Sequence, residues 1–482
     1  MKRDALHDGN GASRTSRLKP LAAAFVAVFA VAGQEARAAT WTVDTANNHC
    51  GDGGGASGQG DLSTLKGTLR FATYFADSSD TVNVLCSAIT LTQGSIDLTQ
   101  PNLTIKGVAA NDLVITQSAK DRVFNHIGTG TLSLHDMTLT GGYYYLTIGA
   151  YGGCIYSKGS VSLYDTGVVE CQAVSNGGDA HGGGVFTKGN LALTSSTIGL
   201  NSATASNHSG VNARGGGAFV QGDFTAGYST ILNNVAEVTG TDQGRGGGLH
   251  LGGNVTISSS TISGNSAGQI VGGVDITSSN PASLVAHISD STISGNRATY
   301  LGGLYVNSGT VKIANSTIAF NTATKGKISS TAYAAGMVAD SNVAAMSVTL
   351  QSSLIANNTY GTSTQTPNDL SLVHTSAHAI TFNSAPANNL IFATSAAVPS
   401  DTLKGVCPFL GPLRDNGGPT QTHALLSGSP ALAAGNNADD LPFDQRGTGY
   451  LRISTGESAA DIGAYEVQRT DIIFDTGFET CQ

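Results

Sequence analysis

The sequence predicts an all-β solenoid: a parallel β-helix with three strands per coil, a helical cap at the N-terminal end and an irregular cap at the C-terminal end. Three observations carry this. An Asn follows an Ile by three residues six times, from Ser-Thr-Ile-Gly-Leu-Asn ending at Asn201 through variants ending at Asn234, Asn265, Asn296, Asn321 and Asn358. The isoleucines, Ile198, Ile231, Ile262, Ile293, Ile318 and Ile355, recur at steps of 33, 31, 31, 25 and 37 residues, which is the period of stacked supersecondary units. Finally, Gly makes up 63 of 482 residues and charged residues only 12%, which fits many turns and few helices.

Each unit carries three short apolar runs. The first alternates, as in Leu132 and Leu134, Val161 and Leu163, or Leu191 and Leu193. The second is the Ser-Thr-Ile phrase. The third follows a glycine pair, as in Gly183-Gly184-Val185-Phe186, Gly216-Gly217-Ala218-Phe219 and Gly247-Gly248-Leu249-His250. Runs of two to four residues broken by Gly, Asn and Ser read as strands.

Stacking explains the letters. Coils piled at roughly 4.8 Å place each residue over its equivalent, so inward positions must be apolar and stackable. The Asn column occupies a corner, where an amide tolerates the turn and bonds above and below. Ser196, Ser229, Ser260, Ser291, Ser316 and Ser353 stand two residues before each Ile and are expected inside. The neighbouring column of Thr197, Thr230, Thr261, Thr292 and Thr317 is expected to face solvent.

Solenoid ends expose strand edges and need covering. Leu62, Leu65, Leu69, Ala72 and Phe75 fall at three- and four-residue spacing and predict one amphipathic helix from near Ser63. The resulting divisions are an export signal over 1–38, N-terminal cap and first coils over 39–130, repeats over 131–360, irregular coils over 361–409, a C-terminal cap over 410–468 and a tail over 469–482.

The export signal rests on Arg14, Arg17 and Lys19 before the apolar run 21–31, with Ala36-Arg37-Ala38 as a cleavage site. That run is too short for a membrane span. Without it the mature chain carries a net charge of −12, which argues against nucleic acid as a partner. Six cysteines with no Cys-x-x-Cys pair suit disulfides in an oxidising compartment. Cys154 replaces a corner glycine and Cys171 a ladder Asn one coil onward, so these two are expected to pair. Cys50 with Cys86, and Cys407 with Cys481, follow mainly by elimination.

The segment Leu410-Gly411-Pro412-Leu413-Arg414-Asp415-Asn416-Gly417-Gly418-Pro419-Thr420-Gln421-Thr422-His423, with Asp444-Gln445-Arg446-Gly447 and Asp461-Ile462-Gly463-Ala464-Tyr465-Glu466, resembles the choice-of-anchor Q domain of bacterial secreted proteins. Gly67-Thr68-Leu69-Arg70-Phe71-Ala72 is similar to a CSLREA-type N-terminal segment lacking its Cys and Glu. The resemblance implies a right-handed parallel β-helix of the pectin-lyase-like type and no established activity. The stretch 471–479 resembles a tail of exported proteins from some Gram-negative bacteria, so the expected location is extracellular or on the cell surface.

Candidate ligand-binding residues lie on the outward columns. Tyr156, Phe186, Phe219, His250, Asp275 and Tyr305 follow the glycine pairs in six successive coils, flanked by Tyr151, His181, Arg214 and Arg245 at the ends of the loops entering these strands, the last three ending the longest loops. Aromatic rings with guanidinium groups suit a glycan track. The competing reading is that stacked rings support one another and that Arg214 and Arg245 pair with Asp179, Glu237 or Asp242. His250 beside Asp275 resembles an acid–base couple, but the second carboxylate of a glycosidase and the acidic ligands of a calcium site are missing from the outward columns, where only Asp275 and Asp340 stand. Arg414, Asp415, His423, Asp444, Arg446, Asp461 and Glu466 are read as pairing within the cap. The expectation is therefore a monomeric exported scaffold binding a glycan or a host or cell surface, without metal or cofactor; the alternatives are a polysaccharide lyase or glycoside hydrolase using His250 and Asp275, and a ligand-free surface spacer.

Overall fold

The computed structural model describes residues 38–471, apart from 46–48, 53–66, 109–111, 240–242, 326, 329–330, 333 and 470. The expected export signal and most of the tail lie outside the described residues. No described helix is long and apolar enough to cross a membrane.

One coil shows how the chain winds. Residues Leu191–Thr194 form a strand, Ser195 turns the chain at φ 49°, and Thr197–Gly199 continue in the same sheet. The Leu200–Asn201 corner leads to Ser202–Ser206, a loop leads to Asn212–Arg214, and after Gly215 at φ 63° the strand Ala218–Val220 closes the coil. The next coil repeats this in parallel register, with Leu191 over Phe224, Ile198 over Ile231, Ala203 over Ala236 and Val185 over Ala218. A parallel β-helix with three long sheets results, the first and second apolar runs being the two halves of one bent sheet.

The second long sheet occupies stretches read from sequence as loops. Gln172–Asn176, Ser202–Ser206 and Val235–Val238 are its strands. Its inward residues are small: Ala203, Ala205 and Ala236 pack with Ala180, Val211, Ala213, Ala267 and Ala298 in an alanine-lined core separate from the main one. Alanine alternation is a weak strand signal because Ala carries little apolar area and low β-propensity, so the spacing of bulky residues missed these strands.

The main core holds Ile198, Ile231, Ile262, Ile293, Ile318 and Ile355 in one file, each at most 1% exposed. Beside it runs the asparagine ladder. Asn201 Nδ2 donates to Asn234 Oδ1 at 2.9 Å, and the same bond repeats from Asn234 to Asn265, Asn265 to Asn296, Asn296 to Asn321 and Asn321 to Asn358 at 2.8–2.9 Å. The backbone N–H of each Asn donates to the same acceptor, as at Asn234 to Asn265 Oδ1, 3.0 Å. The serine column is inside as expected and forms a second ladder, with Ser196, Ser229 and Ser260 backbone N–H groups donating to the next serine's Oγ at 3.1–3.2 Å. Both ladders satisfy backbone groups that the corners leave unpaired in the interior.

The Cys154–Cys171 and Cys50–Cys86 disulfides are present as expected. Cys171 stands at the head of the Asn file, its N–H donating to Asn201 Oδ1 at 2.9 Å. Cys407 is also disulfide-bonded; its expected partner Cys481 lies outside the described residues. The N-terminal helix spans Leu69–Phe75 with Thr68 as N-cap, and buries Leu69 and Ala72. The part of the expected helix before residue 67 is not described.

The threonine column departs from expectation. Thr197 and Thr230 are half-buried, but Thr261 and Thr292 are fully buried and Thr317 is 3% exposed. Residues 410–468 cover them. This segment packs Leu425, Ala431 and Ile462 on Leu354, Ala356 and Leu390 of the last coils, and then extends back along the flank. Gln445 Nε2 donates to Thr261 Oγ1 at 2.8 Å while its Oε1 accepts from Thr292 Oγ1 at 2.6 Å, and Ala464 N–H donates to Thr317 Oγ1 at 3.0 Å. Local pattern cannot reveal a partner more than a hundred residues away, so an outward polar column reads as solvent-facing from sequence.

The polar C-terminal residues mostly pair within this segment, as the cap reading expected. Arg446 is fully enclosed, bonded to Asp444 and sandwiched between the rings of Tyr450 and Tyr465 at 4.0 and 3.9 Å. Arg452 reaches Glu466 at 3.5 Å and, across the interface, Asp290 at 3.3 Å.

Candidate functional site

The third sheet aligns the predicted column. Tyr156, Phe186, Phe219, His250, Asp275 and Tyr305 are successive register partners. Tyr151, His181, Arg214 and Arg245 form a parallel file in a short accessory sheet alongside. The sequence places these ten side chains together because each occupies the same offset from its glycine pair. The glycines are obligatory there: a Cβ on Gly216 would lie 2.4 Å from Gly247 O of the next coil.

The rings stack on one another. Tyr156 and Phe186 centroids are 5.4 Å apart at an interplanar angle of 2°, Phe186 and Phe219 5.3 Å at 8°, and Phe219 and His250 4.8 Å at 17°. His181 closes over Phe219 at 4.5 Å and 4°. Phe186, Phe219 and His250 are consequently 4%, 8% and 6% exposed. The expected open aromatic track is a sealed stack, because the accessory strands fold over it. Tyr156, Tyr305, Arg214 and Arg245 remain half-buried at its margin.

Asp275 sits at the foot of the stack, fully buried. Arg245 grips it through two bonds, Nε to Oδ2 at 2.9 Å and Nη2 to Oδ1 at 3.1 Å. Its Oδ2 also meets His250 Nδ1 at 2.8 Å, and Thr277 Oγ1 donates to Oδ1 at 2.7 Å. Burial alone would raise its pKa, but Arg245 and His250 hold the carboxyl well below the usual range. Asp275 is thus an anion with its valence filled, and the loop acids Asp179 and Glu237 are not what Arg245 grips. Tyr305 donates to Asp340 Oδ2 at 3.0 Å, and burial pushes its hydroxyl pKa up. Thr277 carries no charge and no ring; its place two residues after Asp275 on the outward face was the available sign of its role.

Arg214 differs from its register partner Arg245. It makes no hydrogen bond or ion pair among the described residues, and its Nε is enclosed without a partner. Burial lowers its pKa, Arg245 adds to that, and Asp275 and Asp179 oppose it. One coil below, His181 Nε2 is also enclosed and without a hydrogen bond, 3.8 Å from Asp179 Oδ2. Burial holds the His181 imidazole well below its ordinary pKa against the pull of Asp179. The corner therefore presents two adjacent guanidinium groups, one neutralised by Asp275 and one without its own counter-ion. Such a corner can take an anion, and a carboxylate matches the fork of Arg.

Among the described residues no group of three or more His, Cys, Asp or Glu is arranged to hold a metal ion.

No family model matches the chain, and no curated protein matches it. Among solved structures the chain is similar to pectate lyase Pel9A, at 14% identity over 89% of this chain and 96% of that one, with a TM-score of 0.42. The β-helix itself rests on the strand register above.

Proposed function

We propose that this chain is an exported β-helix scaffold that binds acidic glycans at the Arg214 corner of its third face. The reading is carried by Arg214, a half-buried cation without an ion-pair partner beside the neutralised Arg245–Asp275 pair. Leaving a cation so placed is unfavourable unless something supplies the missing charge. The half-buried rims of Tyr156 and Tyr305 provide ring edges on which a sugar can rest. Disulfides support an extracytoplasmic location, and the choice-of-anchor Q resemblance supports surface attachment.

A glycan array containing uronate-bearing and neutral polysaccharides tests this. Wild type is expected to retain the uronate-bearing glycans, and Arg214→Gln to lose them while keeping its thermal midpoint. Equal retention by both proteins would move binding away from Arg214, and no retention by wild type would leave the ligand-free spacer as the better reading.

A second reading, of a lyase or hydrolase, is favoured by one observation: His250 Nδ1 is held by Asp275 at 2.8 Å, which orients the ring as in an acid–base couple. Product release from a polysaccharide panel that disappears in His250→Gln would establish it. Asp275, enclosed and tied to Arg245, would then position His250 without touching substrate.

A further inference from the structure

The flank covered by residues 410–468 does not end where that segment ends. Register places Thr138, Gly167, Thr197, Thr230, Thr261, Thr292, Thr317 and Leu354 in one outward file. A bend residue with positive φ precedes each on the same strand path: Asp136, Asp165, Ser195, Tyr228, Ser259, Asp290, Asn315 and Ser352. Every bend from Ser259 to Ser352 is bonded by the C-terminal segment. Thr420 Oγ1 donates to Ser259 O at 3.2 Å, Arg452 reaches Asp290 Oδ1 at 3.3 Å, Asn315 Nδ2 donates to Asn436 O at 3.1 Å, and Gly463 N–H donates to Ser352 O at 2.8 Å.

Among the described residues the first three bends carry no such cover. Asp165 and Ser195 are exposed and Asp136 is half-buried, and beside them Thr138, Gly167 and Thr197 are half-buried. Together with Leu113, Met137 and Val169 they line an open groove of about 610 Å³. It continues the occupied flank in the same register, with the same outward file of small and hydroxyl side chains. Asp136 and Asp165 stand where Asp290 stands, and neither has a cationic partner among the described residues.

The geometry points to this open groove as the docking site of an extended, arginine-bearing peptide segment of a partner protein. Continuity with the interface that residues 410–468 already make fixes the binding mode: chain laid across the coils, polar groups meeting the outward Thr file. The two aspartates fix the charge, an Arg reading Asp136 or Asp165 as Arg452 reads Asp290. Neighbouring Asp112 adds to the same field.

The experiment uses the mature chain and a fluorescein-labelled decapeptide of alternating Thr and Arg, read by anisotropy at physiological ionic strength. Saturable binding is expected, weakened at least tenfold by Asp136→Asn with Asp165→Asn, since Asn keeps the positive-φ bend. Thr197→Trp, which plugs the groove at constant charge, is expected to weaken it as much. Asp97→Asn with Asp223→Asn removes the same charge from exposed sites elsewhere and is expected to stay within twofold. Absence of saturable binding overturns the proposal, as does an equal loss in the charge-matched control or wild-type affinity in Thr197→Trp. Circular dichroism and thermal midpoints establish that each variant is folded, and the Asn pair keeps the test decisive if the Trp variant is not.

Discussion

Asn358 donates both its backbone N–H and its side-chain amide to Asp369 Oδ1, at 2.9 and 2.8 Å, so the asparagine ladder ends on a buried carboxyl. Asp369 lies only 11 residues from Asn358 because both belong to one coil, Asp369 standing just before the strand Leu370–Val373 that stacks on Met337–Asp340. Its Oδ2 accepts the Ala393 N–H at 2.7 Å, which carries the file one coil further.

This terminus makes stability depend on pH. Burial raises the Asp369 carboxyl to about 7, outweighing the donors from Asn358 and Ala393. The folded chain keeps that proton where the unfolded chain, titrating near the ordinary carboxyl value of 3.8, has lost it. The contribution is whole below about 4 and disappears as pH rises through 7. Asp369→Asn cannot ionise, so the wild-type urea midpoint is expected to fall relative to that of the variant between pH 4 and pH 7. A constant difference across that range would contradict the assignment. Asp290 and Glu466, also raised to about 7 by burial, are common to both proteins and cancel.

Inside the ladder the cost should be steeper than at a solvated corner. Asn265→Ala removes the acceptor of both Asn234 donors and the donor to Asn296. Two buried donors left unsatisfied should cost about 2–5 kcal/mol, measurable by urea denaturation. Asn280→Ala, an exposed amide at φ −122° whose side chain caps nothing, should cost below about 0.5 kcal/mol.

The C-terminal segment should loosen in acid. His423 lies between Gly411 O at 2.7 Å and Ser294 Oγ at 2.7 Å, so a neutral ring donates through Nδ1 and accepts through Nε2. Burial depresses its pKa to about 4. The contribution is present above the unfolded value of about 6.5 and is lost as pH falls toward 4. Limited proteolysis within residues 410–468 should accelerate between pH 7 and pH 4.5. In His423→Gln, which cannot take up that proton, the acceleration should be smaller.

The two arginines of the candidate site should respond to substitution to very different extents. Arg245→Met leaves Asp275 buried with only His250 as a charged partner, and is expected to cost about 3–5 kcal/mol. Arg214→Met removes a cation with no ion-pair partner beside another cation, and is expected to change stability by less than about 1 kcal/mol. Equal losses in chemical denaturation would mean that Arg214 is structural and would remove the basis for ligand binding there.

Much of the fold was legible because a stacked architecture turns sequence period into spatial proximity. Ile198 and Ile231, or Asn201 and Asn234, are neighbours through register alone, so six repeats of one phrase sufficed to give the core, the ladder and the file from Tyr156 to Tyr305. The pairing of Cys154 with Cys171 was legible for the same reason. The alanine strands were not, since Ala203 and Ala236 bury too little surface to mark a strand by hydrophobic contrast.

What only the tertiary structure decided were contacts with no period. The burial of Phe219 beneath His181, the choice of Asp275 by Arg245, and the laying of Gln445 across Thr261 and Thr292 each depend on how a loop or terminal segment folds back over the cylinder. A repeat specifies which residues stand above one another along the axis. It does not specify what covers them from the side, because that contact is made by residues outside the repeat, whose sequence carries no echo of the file they meet.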